Sequence, residues 1–250
     1  LTAINEEASC NSQVVSIATG ATLDELVKQV KLMHRQKRAD GFIILYSETK
    51  DPVKDYLLKE KVPFVVIGAA VDNTNKVTYI DNDNKAIGQE AVFYLNSRGH
   101  QTIGFVTDDL FGQVGQERYQ GYKDAVSELH IESLPELVFS SQTIDSFKKH
   151  LRTFLPTALV VKDDLVALRL IQWVNNQGIK IPKDYSIISI NNSSFAEIMH
   201  PFLTTYDINI QELGKESVRK LVAILKDENT KPQKVTIPFH LIERESVTSI

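Results

Sequence analysis

Residues 78–106 read T-Y-I-D-N-D-N-K-A-I-G-Q-E-A-V-F-Y-L-N-S-R-G-H-Q-T-I-G-F-V, and E-R-Y-Q-G-Y follows at 117–122 after a polar loop. Val77 to Ile80 is a short apolar run that ends in turn formers. From Asn84 the apolar period lengthens, and Ile87, Ala91, Tyr94 and Leu95 share one face of a helix. Arg98-Gly99-His100 stops that helix, with Gly99 as its C-terminal cap. Ile103 to Val106 is again continuously apolar, as a buried strand would be. A second amphipathic helix opens near Glu117 and runs to about Leu129, which puts Arg118 in its first turn. Strand, helix, strand, loop, helix is the rhythm of a parallel α/β sheet. The loop after a parallel strand is where such sheets bind ligands.

The alternation extends in both directions. Upstream, Val14–Ala18 reads as a strand ended by Gly20. Thr22 and Glu25 have capping-box spacing before a stripe of Leu23, Leu26, Val27, Val30 and Met33. Phe42–Leu45 and Pro63–Ile67 read as strands, with a helix over Asp51–Glu60 between them and an exposed loop over Val71–Asn75. Downstream come a weak strand at Leu137–Phe139, a helix over Ile144–Leu155 stopped by Pro156, and a strand at Ala158–Val161. A helix marked by Leu165, Leu168 and Ile171 then ends at Gly178. Tyr185–Ile190 is a strand, Pro201 breaks a short helix, and Asn209–Lys226 is amphipathic. Asn229–Gln233 is linker-like, and Val235–Ile242 reads as a last strand that Pro238 pushes toward an edge or an irregularity. The strand–helix units fall into two blocks divided near Ser97, which predicts two similar subdomains with a cleft between them. The opening residues read as a helix, with Ile4 and Ala8 on one face. No strand stands before it, so an upstream strand and a further domain are expected.

The chain has 250 residues, 42% of them hydrophobic and 24% charged, as in ordinary globular proteins. A net charge of -4 argues against these residues binding nucleic acid by themselves, since such surfaces are basic. The single cysteine, Cys10, can form no internal disulfide, which favours an intracellular, cytoplasmic setting. No apolar run reaches membrane-spanning length, and L-T-A-I-N-E-E-A is no signal peptide.

The candidate chemistry consists of polar groups at strand ends: Ser47, Tyr79 and Asp81, then Arg118, Asp163 and Asp164, then Asn191 and Asn192. Arginine offers a planar five-donor fork, aspartate accepts from hydroxyls, and asparagine does both. A tyrosine ring offers an apolar face to the C–H surface of a sugar. Together they suit a neutral polyhydroxylated ligand. Each also has a plainer reading. Arg118 fits a surface helix, the aspartates a helix cap, the asparagines a turn, Tyr79 and Trp173 the core, and His100 a structural hydrogen bond. The aspartate doublet lacks nearby histidine or cysteine, so no metal is expected. No dinucleotide, phosphate-loop, nucleophile-elbow or zinc motif occurs, so neither a cofactor nor an enzymatic activity is expected.

Taken with A-D-G-F-I-I-L (39–45), P-T-A-L-V-V-K-D-D-L-V-A-L (156–168), D-Y-S-I-I-S-I-N-N-S-S-F-A-E-I-M-H-P-F-L-T-T (184–205), E-L-G (212–214) and I-P-F-H-L-I-E-R-E-S (237–246), the opening stretch resembles the effector-binding core of the LacI/GalR family of bacterial transcription regulators. The resemblance covers essentially the whole chain. N-N-S after the late strand is most similar to the maltose-operon repressors of Gram-positive bacteria. It implies an α/β, periplasmic-binding-protein-like fold of two Rossmann-like parallel-sheet subdomains joined by three crossovers. The N-terminal subdomain would be 1–98 plus 207–229, the C-terminal one 99–206 plus 230–250. It further implies a small sugar effector, a homodimer, and operator DNA bound through an N-terminal helix-turn-helix domain that this chain lacks. Arg118 matches the arginine that grips the effector, Asp163 a position that is often asparagine and contacts sugar, and Tyr79 an aromatic lining the cleft. Asn191 stands where many members carry aspartate, so one acceptor charge is exchanged for an N–H donor. The usual aromatic lid is replaced by Ser141 and Gln142. An extracellular sugar-binding protein of a transport system shares the fold and is the alternative.

Overall fold

The computed structural model describes residues 1–71, 76–108, 112–140, 142–227 and 230–250. In chain order the first elements are α1 (Thr2–Cys10), α2 (Leu23–Arg35), β1 (Phe42–Ile44), α3 (Pro52–Lys59), β2 (Phe64–Ile67), β3 (Thr78–Asp81), α4 (Asn84–Ser97), β4 (Ile103–Thr107) and α5 (Gln113–Glu128). Then follow β5 (Leu137–Val138), α6 (Ile144–Phe154), β6 (Ala158–Val161), α7 (Asp164–Asn176), β7 (Ser186–Ile190), a short 3-10 helix (Ser194–Glu197), β8 (Thr204–Asp207), α8 (Ile210–Lys226), β9 (Lys234–Thr236) and β10 (His240–Ile242).

The elements form two units, Leu1–Asn82 with Asn209–Ile237, and Asp83–Ile208 with Pro238–Ile250. The expected division assigned α4 to the first subdomain and 230–237 to the second, and both go the other way. Helix α4 packs on α5, and β9 pairs in parallel with β3. The loop expected over Val71–Asn75 lies mostly outside the described residues, as do Ser141 and the start of the 229–233 linker.

In the first unit the strands run in the order β1-β2-β3-β9, all parallel. Val27 and Val30 of α2 join Val53 and Leu57 of α3 against Ile44, Val66 and Tyr79. Ile4 and Ala8 of α1 pack on Val218 and Val222 of α8. The Thr22 hydroxyl accepts from the Glu25 N–H at 3.3 Å, and the Glu25 carboxylate accepts from Ala21 N–H, so the cap forms. Val14–Ala18 is not a strand. Val14 is 93% exposed and Ile17 64%. β-Propensity reflects packing against paired neighbours, and this stretch pairs with no described strand. A groove of about 580 Å³ lined by Val14, Ile17, Leu26, Ile43 and Leu45 runs beside β1 instead.

The second unit holds a six-stranded sheet in the order β10-β8-β7-β6-β4-β5, parallel except for β10. Ile103, Phe105, Val160 and Ile188 face α4 and α5, while Val106, Leu159, Val161 and Ile187 face α6 and α7. With both faces covered, β6 is apolar throughout and β4 nearly so, while β7 is apolar except for the buried Ser186 and Ser189, which is why these strands read as runs. Trp173 packs edge-on against Phe139 and Phe147, so its core reading holds. The single last strand expected over Val235–Ile242 is divided: β9 and β10 belong to different sheets, with Pro238 at the break.

Helix α5 begins at Gln113 behind Gly112, so Arg118 lies in its second turn rather than its first. The stretch 113–117, Q-V-G-Q-E, has one apolar side chain and so no stripe to mark the helix, and Gly115 in it weakens the local helix signal. Helices α4 and α5 meet closely at two glycines. A Cβ on Gly88 would lie 2.1 Å from the Arg118 carbonyl oxygen, and one on Gly121 1.9 Å from that of Lys85.

Candidate functional site

Parallel order puts the C-terminal ends of β4, β6 and β7 along one edge of the second sheet. Arg118 reaches that edge from α5 and is 6% exposed. Its Nε donates to Asn84 Oδ1 at 3.0 Å, Nη1 to the Lys162 carbonyl at 2.6 Å, and Nη2 to Asn191 Oδ1 at 3.4 Å. The close approach of the helices at Gly88 and Gly121 brings Asn84, one turn earlier on α4, within reach of Arg118. Asn84 heads α4 because Asp83 caps it, accepting from Ala86 N–H at 2.9 Å.

Three consecutive residues after β6 divide the work. The Lys162 carbonyl receives Arg118. Asp163, in extended backbone, accepts from Val166 N–H at 2.8 Å and caps α7. Its second carboxylate oxygen stands 3.9 Å from Lys162 Nζ, and the side chain is 23% exposed. The capping reading of Asp163 therefore holds, and among the described residues its second carboxylate oxygen makes no closer polar contact than that with Lys162. Asp164 turns inward and is 1% exposed.

Asn191 and Asn192 both have positive φ, 121° and 50°. Asparagine tolerates this region better than most residues, which explains two of them in a turn. Asn191 N–H donates to the Tyr206 carbonyl at 2.8 Å. Asn192 Oδ1 accepts from Arg244 at 2.9 Å, and its Nδ2 donates to Asp207 at 3.0 Å. The turn reading is correct for both, and Asn191 also meets Arg118.

The first unit treats its candidates differently. Tyr79 is 4% exposed and sits in the core with Val66 and Leu57. Asp81 is buried, and its carbonyl accepts from Ile237 N–H at 2.8 Å. The Ser47 hydroxyl donates to the Ala69 carbonyl. Ser47 and Tyr79 line one narrow recess with Tyr46, Asp51 and Lys54. Burial, then the adjacent Asp51, pushes the Tyr46 phenol well above its usual range, and it donates to Asp51 at 3.2 Å. Arg118, Asp163 and Asn191 are thus brought together in the second unit, while Ser47, Tyr79 and Asp81 are tied into the first. Sequence reading missed Asn84 and Arg244 as supports, because neither carries a local signal beyond its polarity.

Among the described residues no helix is long and apolar enough to cross a membrane, and no three His, Cys, Asp or Glu side chains gather as a metal site.

A two-unit α/β fold with a buried arginine at the strand ends of one unit defines a ligand-binding core of periplasmic-binding-protein type. Residues 92–247 match the periplasmic binding protein-like domain family. The chain is 30% identical over 242 residues to the HTH-type transcriptional regulator MalR of Staphylococcus xylosus, covering 94% of this chain and 70% of that protein. A LacI transcriptional regulator from Bacillus cereus subsp. cytotoxis superposes with a TM-score of 0.91 at 31% identity, over 99% of this chain and 90% of that one. A maltose operon transcriptional repressor from Staphylococcus aureus superposes at 0.90 with 27% identity, over 98% and 89%. The chain belongs to the LacI/GalR family of transcription regulators and is its effector-binding core. Members are non-enzymatic, bind small effectors and dimerise.

Proposed function

We propose that this core serves a cytoplasmic, sugar-responsive repressor whose effector is maltose or a related α-glucoside. The observation that carries the reading is the convergence of Arg118, Asn191 and Asp163 at the strand ends of the second unit. A guanidinium fork, an amide and a carboxylate edge match the mixed donors and acceptors of sugar hydroxyls. Asn191 brings an N–H donor where a carboxylate would bring only acceptors, which suits a neutral ligand. Similarity to a maltose operon repressor supports the choice of sugar. Ser47, Tyr79 and Asp81 are engaged within their own unit, and the reading does not depend on them.

As a homodimer, the whole regulator would hold operator DNA through helix-turn-helix heads. Effector and operator then change each other's affinity by the same factor, because coupling between sites is reciprocal. Calorimetric titration with maltose, glucose and glucose 6-phosphate tests the assignment. Saturable maltose binding is expected, weakened in Arg118→Ala by about 2–5 kcal/mol, the range for truncating one partner of a buried polar pair. Unchanged maltose affinity in that variant would overturn the role of Arg118, and absence of maltose binding to the natural chain would overturn the choice of sugar.

A further inference from the structure

We propose that Asp164, which is not among the ligand contacts, is the positioning residue that locks the Asn191 turn and thereby sets effector affinity. The proposal rests on the sugar-site reading above for its ligand, though not for its geometry.

The Asp164 carboxylate is buried at the start of α7 and accepts three hydrogen bonds from three places. Its Oδ1 receives the Ser189 hydroxyl of β7 at 2.5 Å and the Thr205 hydroxyl of β8 at 2.9 Å. Its Oδ2 receives the backbone N–H of Ser193 at 2.5 Å. Buried oxygens need donors in place of water, and here they come from both strands and from the turn between them.

The turn needs such a hold. Two successive non-glycine residues with positive φ lie in sparsely populated backbone, which survives where surroundings over-determine it. Successive amides of the turn are each captured: Asn191 by the Tyr206 carbonyl, Asn192 by the Thr205 hydroxyl at 3.3 Å, and Ser193 by Asp164. Two of the three captures depend on Asp164. Thr205 has one hydroxyl proton, and giving it to Asp164 leaves its lone pair facing the Asn192 N–H. Asp164 therefore holds Ser193 directly and Asn192 through Thr205. Asn191 Oδ1, at the head of the turn, is the atom that meets Arg118. Releasing the turn lets Asn191 leave the arginine.

The test compares Asp164→Ala, Asp164→Asn and Thr205→Val with Thr157→Val in the full chain. Thr157 hydrogen-bonds His100 just before β6 begins, at the opposite end of that strand from the turn, so its variant reports lost stability alone. Each is measured for thermal midpoint, maltose affinity, and hydrogen exchange at the Asn192 and Ser193 amides. Asp164→Ala should weaken maltose at least tenfold and speed exchange at both amides. Asp164→Asn, which keeps the shape and an acceptor for Ser193, should recover part of the affinity. Thr157→Val should leave affinity within twofold at a comparable fall in midpoint. Equal affinity in Asp164→Ala and Thr157→Val would overturn the proposal. If Asp164→Ala does not fold, Thr205→Val decides, with at least threefold weaker binding and faster Asn192 exchange expected and natural values overturning it. If the natural chain binds no maltose, the sugar reading falls. Amide exchange without ligand then decides the role of Asp164, natural rates in its variants being the overturning result.

Discussion

A guanidinium that is 6% exposed has given up nearly all of its water, and hydrogen bonds must replace it. Arg118 does so with donors aimed at three separate acceptors, a geometry that a planar fork spans and a single ammonium does not. Arg118→Lys keeps the charge but loses at least one of these contacts. It should lower stability by about 1–3 kcal/mol, read from denaturant midpoints. His100 is a second residue whose surroundings fix its state. The residue is 1% exposed, with Nε2 3.0 Å from the Thr248 carbonyl and Nδ1 3.0 Å from the Thr157 hydroxyl. The carbonyl only accepts, so Nε2 carries the proton and Nδ1 accepts from Thr157. Burial lowers the imidazole pKa, and the Thr248 carbonyl works against that shift. A depressed folded-state pKa means that the unfolded chain takes up the proton first. The contribution to stability is full above the unfolded value of about 6.5 and is lost as pH falls through the folded one. The melting temperature should therefore drop on acidification below that value. His100→Gln should be less stable at neutral pH and flatter across the same range.

Between elements, the tightest contact is that of α4 with α5. With a Cβ at Gly121 only 1.9 Å from a backbone oxygen, Gly121→Ala must push the helices apart. A cost of about 3 kcal/mol, the upper end for overpacking, is expected in thermal or denaturant unfolding. Effector affinity should fall with it, since the same approach brings Asn84 to Arg118. At this scale much was readable in advance. β2, β4, β6 and β7 are buried almost throughout, so their sequences are largely apolar and legible as strands. Val14–Ala18 has the same composition but no partner, and composition alone does not make a ladder. The start of α5 is hard to read from sequence because its first turn, Gln113–Gln116, offers Val114 as its one apolar side chain. Asp163 and Asp164 show where sequence reading stops. They are chemically identical neighbours, yet backbone direction sends one to cap a helix and the other beneath a turn. Only the placement of β7 and β8, distant in sequence, decides which does which.

At the scale of the whole molecule, the two units have unequal cores. The second has six strands with apolar clusters on both faces, while the first has four strands and an open groove beside β1. The only tryptophan, Trp173, lies in the second. Its fluorescence follows that unit alone, while far-ultraviolet circular dichroism follows both. In guanidinium titration the dichroism change should begin at lower denaturant than the fluorescence change, because multi-domain chains depart from two-state behaviour and the smaller core yields first. Coincident curves would mean that the units unfold as one.

The chain passes from one unit to the other at residues 82–83, 208–209 and 237–238. During synthesis the first unit waits on a ribosome for α8 and β9, long after α1–α3 have emerged, and the second waits for β10. Nearly the whole chain must be made before either sheet has all its strands. Seen from the gene, no single cut yields either unit intact, so recombination can exchange the pair but not one half of it.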